Sequence, residues 1–126
     1  MLGRTAGSAW SVVLETPDAS ALAAFYARLL GWAVVHDGGD WAKVAPPEGA
    51  AYLSFQSSDP YVRPVWPPRA GEQLMMMHLD IEVPDLDAST AAAVAAGATV
   101  SDYQPQDDVR VLVDPDGHPF CLWVQP

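Results

Sequence analysis

The chain has 126 residues, half of them apolar and 17% charged, which fits one core-forming domain and excludes wholesale disorder. Sixteen acidic against six basic residues give a net charge of −10, without the clustered Lys and Arg that nucleic acid or an anionic membrane would need. A lone cysteine, Cys121, excludes an internal disulfide framework, and no apolar run approaches the ~18 residues of a membrane span. With no signal-peptide core at the N-terminus, the expectation is a soluble cytoplasmic protein.

The first strand signal is Ser11-Val-Val-Leu-Glu-Thr-Pro-Asp18, alternating and then ending in a Pro-Asp that starts a helix. Leu22, Phe25, Tyr26, Leu29 and Leu30 follow at helical spacing, and Gly31 stops the helix. Three strands are predicted next, at Trp32–His36, Trp41–Ala45 and Ala51–Gln56, divided by Gly-Gly and Pro-Pro-Glu-Gly turns. Ser57–Gln73 carries four prolines, Tyr61, Trp66, Arg63 and Arg69, and reads as an ordered linker. Then the opening pattern returns. His78-Leu-Asp-Ile-Glu-Val-Pro-Asp85 repeats Leu14, Glu15, Pro17 and Asp18 as Ile81, Glu82, Pro84 and Asp85, at an offset of 67. An Ala-rich helix runs to Gly97, followed by strands at Thr99–Tyr103, Val109–Val113 and Phe120–Gln125, the last two joined by an Asp114-Pro-Asp-Gly117 turn. The chain reads as one domain made by internal duplication. Module 1 covers about 9–56, the linker 57–73 and module 2 about 74–124, each module β-α-β-β-β.

Strand alternation assigns faces. Val12, Leu14, Leu53, Phe55, Leu79, Ile81, Phe120 and Leu122 fall on the side a helix would cover. Ser11, Val13, Glu15, Tyr52, Ser54, Gln56, His78, Asp80, Glu82, Cys121, Trp123 and Gln125 fall on the other, and Trp41 shares that parity. The fold class expected is α+β, with two tandem modules whose curved mixed sheets form a concave cavity with the helices outside. Such a cavity, of mixed aromatic and polar lining, suits a small molecule.

Leu22-Ala-Ala-Phe-Tyr-Ala-Arg-Leu-Leu-Gly-Trp32, His78-Leu-Asp-Ile81 and Asp114-Pro-Asp-Gly-His-Pro-Phe-Cys-Leu122 carry a resemblance. Together with the paired modules, they resemble the vicinal oxygen chelate superfamily: glyoxalase I, bleomycin-resistance proteins and extradiol dioxygenases. More narrowly, they are similar to the small glyoxalase-like domain proteins common in actinobacteria. The resemblance spans roughly residues 9–124 and is specific for fold, since this fold hosts several chemistries. It implies four metal-ligand positions, two per module, falling at Ser11, at Ser54 or Gln56, at His78 and at Cys121. Only His78 is a good ligand type in its place, and neutral Ser or Gln cannot replace a carboxylate's charge. The expectation is therefore no metal and no other cofactor. A separate metal reading, His78-x-Asp80-x-Glu82 on one strand face, is weaker, because one strand rarely completes a coordination shell.

His118 follows the Asp-Pro-Asp-Gly turn; its ring ties down that turn or, in the functional reading, stands at the cavity mouth. His36 is read as surface. No phosphate loop, nucleophile elbow or Walker-type motif is present. Among the five tryptophans, Trp32 reads as a core anchor, Trp41 and Trp123 face the cavity, and Trp66 folds with Tyr61 over its edge. The function expected is sequestration of an aromatic or polycyclic compound, without a metal. Its binding residues would be Trp41, Ser54, Gln56, Tyr61, Trp66, His78, Asp80, His118, Cys121 and Trp123. The rivals are a glyoxalase-like lyase, isomerase or dioxygenase, either metal-dependent or metal-free with His78 as acid or base, and a structural or regulatory module. The resemblance also implies a homodimer.

Overall fold

The computed structural model describes residues 2–126. They form two compact units, one running to Tyr61 and the other covering Val62–Pro126.

The first unit contains β1 (Trp10–Thr16), α1 (Ala19–Leu30), β2 (Ala33–Asp37), β3 (Trp41–Ala45) and β4 (Ala51–Ser57). Its open sheet has the order β1-β4-β3-β2, with β1 parallel to β4 and the other pairs antiparallel. Asp18 caps α1, its side chain accepting from Ala21 N at 3.1 Å, while Ser57 Oγ accepts from Ala19 N. Gly31 ends the helix at φ 67°, a left-handed conformation costly for any residue with a Cβ. The apolar stripe of α1 buries Leu22, Ala23, Phe25 and Tyr26 against Ala42, Val44, Leu53 and Phe55. Tyr26 stacks on Phe55, with ring centroids 5.5 Å apart, and Phe25 meets Tyr26 edge-on. The helix-side parity expected from alternation holds here.

The second unit contains β5 (Leu79–Glu82), α2 (Leu86–Ala96), β6 (Thr99–Val100), β7 (Val109–Val113) and β8 (Pro119–Trp123), in the order β5-β8-β7-β6. Asp85 caps α2 as Asp18 caps α1, accepting from Ala88 N at 2.9 Å. The register makes the duplication explicit. Val13 pairs with Ser54 and Leu14 with Phe55; 67 residues on, Asp80 pairs with Cys121 and Ile81 with Leu122. One side-chain bond repeats too: Ser58 Oγ donates to Glu15, and Gln125 Nε2 donates to Glu82.

The largest departure from the sequence reading is β6, which ends at Val100 instead of running to Tyr103. Gln104 explains it. Its amide accepts from Val111 N at 2.9 Å and donates to the carbonyls of Val111 and Ser101, so a side chain takes the hydrogen bonds a longer strand would have used. The backbone leaves the sheet after Ser101. Smaller shifts place β2 one residue later than expected and end β8 at Trp123, although Val124 N still reaches Asp108 O.

Residues 62–73 fold as a strap within the second unit. Val65 N bonds Gln73 O, and Arg63 Nη1 donates to Pro115 O at 2.8 Å. The Arg63 stem lies on Gly117, where a Cβ would stand 2.4 Å from its Cγ and where φ is 100°. Only glycine meets both demands at that turn.

Candidate functional site

In the first unit, the pairs Trp41–Gln56 and Lys43–Ser54 place these residues on the sheet face away from α1, together with Ser11 and Tyr52. Trp41, Lys43 and Tyr52 are half-buried and Gln56 is exposed. The Lys43 ammonium lies 5.3 Å from the Tyr52 ring centroid, a cation–π contact that the sequence did not announce. Ser54 is fully buried, and its Oγ lies 3.2 Å from Ser11 Oγ.

In the second unit, the corresponding face carries Asp80, Glu82, Cys121 and Trp123. His78 directly precedes β5, and its Nε2 lies 3.5 Å from Asp80 Oδ1. One ligand atom from each of His78, Asp80 and Cys121 falls within 4.8 Å of the others. Glu82, which the sequence placed in a triplet with His78 and Asp80, points instead to Gln125, at 2.9 Å. Cys121 replaces it because β8 lies beside β5, an adjacency that sequence spacing does not express. Burial pushes the Cys121 thiol up to about 11, with the Asp80 carboxylate adding to the effect by its charge and by a hydrogen bond.

The register resolves which first-unit residue corresponds to Cys121. It is Ser54, since both stand beside the residue two beyond the first-strand position, Val13 after Ser11 and Asp80 after His78. The positions that the resemblance assigned to metal ligands are therefore Ser11 and Ser54 in the first unit, and His78 and Cys121 in the second. The serine hydroxyls are neutral and bonded to each other, so half of the positions carry no charged or imidazole donor. That donor set does not fit a divalent metal of the chelate type.

His118 lies beside its turn. Its Nδ1 is 2.7 Å from Asp114 Oδ2, and Asp114 Oδ1 accepts from the backbone N of Asp116 and of His118. Asp114 is buried, and the ring ties down the loop. Tyr61 closes the first unit, whereas Trp66 packs in the second against Tyr103, with centroids 6.2 Å apart and planes at 68°. Trp66 borders a groove of about 480 Å³ that the sequence reading missed. The signal available for it was the Ser101-Asp102 pair and the Gln104-Pro105 step, breakers inside an expected strand.

The chain matches the family described as "Glyoxalase-like domain" over residues 11–123. It is similar in fold to TnmS3, an antibiotic binding protein from Streptomyces sp. CB03234, at 19% identity and a TM-score of 0.66 over the whole of both chains. A glyoxalase/bleomycin resistance protein/dioxygenase family enzyme from Burkholderia phytofirmans PsJN gives 18% identity and a TM-score of 0.64, covering 90% of this chain and 95% of the other. A glyoxalase/bleomycin resistance protein from Albidiferax ferrireducens T118 gives 22% and 0.62, covering 92% and 97%. No curated protein gives a significant match.

Proposed function

The chain belongs to the glyoxalase-like domain family, and from that premise we propose that it is a metal-independent binding protein that sequesters a small aromatic or polycyclic compound. The observation that carries the reading is that both first-unit ligand positions are serines, neutral hydroxyls hydrogen-bonded to each other, where a charged or imidazole ligand would stand. Lewis-acid chemistry on vicinal oxygens needs a firmly held cation, and two mutually bonded serines offer it no charge. Binding needs only complementarity. Trp41, Tyr52 and Gln56 on one sheet face, and His78, Asp80, Cys121 and Trp123 on the other, supply flat surfaces with a few polar groups. TnmS3, similar in fold, is an antibiotic binding protein, which agrees with this reading. The protein would act in the cytoplasm as a homodimer.

A second reading follows from the His78–Asp80–Cys121 cluster, a set of donor types that suits zinc. One experiment separates the two. Untagged protein is incubated with Zn, Mn, Ni and Fe(II), desalted and assayed by mass spectrometry, then titrated with a panel of aromatic metabolites and antibiotics while tryptophan emission is followed. The binder reading expects far less than stoichiometric metal and saturable quenching by at least one compound. Near-stoichiometric metal that His78→Ala abolishes, or no quenching by any compound, would overturn it.

A further inference from the structure

The groove beside Trp66 exists because β6 stops early. Gln104 substitutes for the missing strand, the backbone turns out at Ser101, and Tyr103 swings toward the strap, where Arg63 is anchored on the turn at Pro115. The walls are two aromatic rings set at 68°, with Val113 and the Arg63 and Ser101 side chains also lining the space. β8 and β7 lie between β5 and β6, so the groove is at the opposite edge of the sheet from His78 and Asp80.

Its polar side chains are one guanidinium, one carboxylate and the hydroxyls of Thr99, Ser101 and Tyr103, which donate as well as accept, besides the Trp66 indole. Arg63 gives Pro115 one N–H of a guanidinium that carries five. Ser101 Oγ accepts from Tyr103 N, leaving its own O–H to donate outward. The indole N–H of Trp66 is buried without a partner among the described residues, and the ring itself lines the groove. Asp102 contributes the one carboxylate of the lining. Aromatic walls select a flat ring, and the free N–H groups of the Arg63 guanidinium select a ligand with acceptor oxygens on that ring.

We propose that this groove is a binding subsite for the flat aromatic part of a ligand bearing carboxylate or carbonyl oxygens, with Tyr103 and Trp66 as its walls. The inference rests on the small-molecule reading above and names the ligand chemistry recognised at this edge. The test uses the full ¹⁵N-labelled chain and 1-naphthoate, followed by two-dimensional NMR. The Trp66 indole signal is assigned by its loss in Trp66→Phe. Saturable shifts are expected at that signal and at the amides of Tyr103 and Val113. Cyclohexanecarboxylate, lacking the π face, and 1-naphthylmethylamine, lacking the acceptor, should each bind about tenfold more weakly or worse. Tyr103→Ala and Val100→Glu, both at exposed positions, should also weaken naphthoate about tenfold, while Val94→Ala, exposed on α2, leaves it unchanged. Naphthoate shifts confined to other residues, or affinity indifferent to both groove variants, would overturn the subsite and leave the binder reading standing. Absence of any naphthoate shift also overturns the subsite; the binder reading falls only if the wider fluorescence panel fails as well.

Discussion

A half-buried thiol beside a carboxylate is the most perturbed group at the candidate site. Cys121 is a thiol that burial and Asp80 both keep protonated, with a pKa of about 11 against an ordinary value of 9.0. Only the thiolate attacks alkylating reagents, so at pH 8 its reactive fraction should be roughly 100-fold below that of an unperturbed cysteine. Iodoacetamide labelling followed by mass spectrometry should therefore be slow at pH 8 and accelerate up to about pH 11. Asp80→Asn removes one of the two influences and should shift that profile toward lower pH. Rapid labelling of the wild type at neutral pH would contradict the burial described for Cys121. The sign for stability is fixed as well. A thiol whose pKa is raised on folding stabilises the native state below pH 9, and that contribution fades as the pH rises toward 11.

The two helices show how unequal side chains serve equal elements. α1 presents Leu22, Phe25 and Tyr26 to its sheet, whereas α2 buries only Ala93 completely among its own residues. The bulk on that side comes from the second sheet, from Leu112, Phe120 and Leu122. Phe55→Ala removes the ring on which Tyr26 stacks and should cost about 3–5 kcal/mol in urea unfolding. Native-state hydrogen exchange should show α2 opening more readily than α1, because little large apolar surface of its own holds it down. Comparable loss from an alanine substitution at the half-buried Trp41 would place the core of the first unit on the wrong side of its sheet.

At the scale of the whole molecule, charge is the dominant physical fact. A net charge of −10 makes the compact state repel itself. The pair that Arg110 makes with the exposed Asp87 at 3.8 Å offsets little of it. Raising sodium chloride from about 20 to 500 mM should increase the melting temperature by several degrees through screening. A fall would mean that ion pairs outweigh repulsion. No helix among the described residues is long and apolar enough to cross a membrane.

Sequence alone determined everything that depends on local repetition. The offset of 67, the Pro-Asp helix starts, the glycine stops and the strand parity are properties of neighbouring residues, and backbone geometry converts them directly into elements and faces. They sufficed for the tandem modules and for the resemblance to the family. What tertiary structure decided is what depends on adjacency between distant segments. Pairing of β4 with β1 chose Ser54 over Gln56 as the counterpart of Cys121 and joined its hydroxyl to Ser11. The same pairing in the second unit replaced Glu82 by Cys121 beside His78 and Asp80. One side chain, Gln104, outcompeted the expected strand at Ser101–Tyr103 and opened the groove at Trp66. Hydrogen-bond partners are set by distances in space, and for these residues the chain's own order carries no record of them.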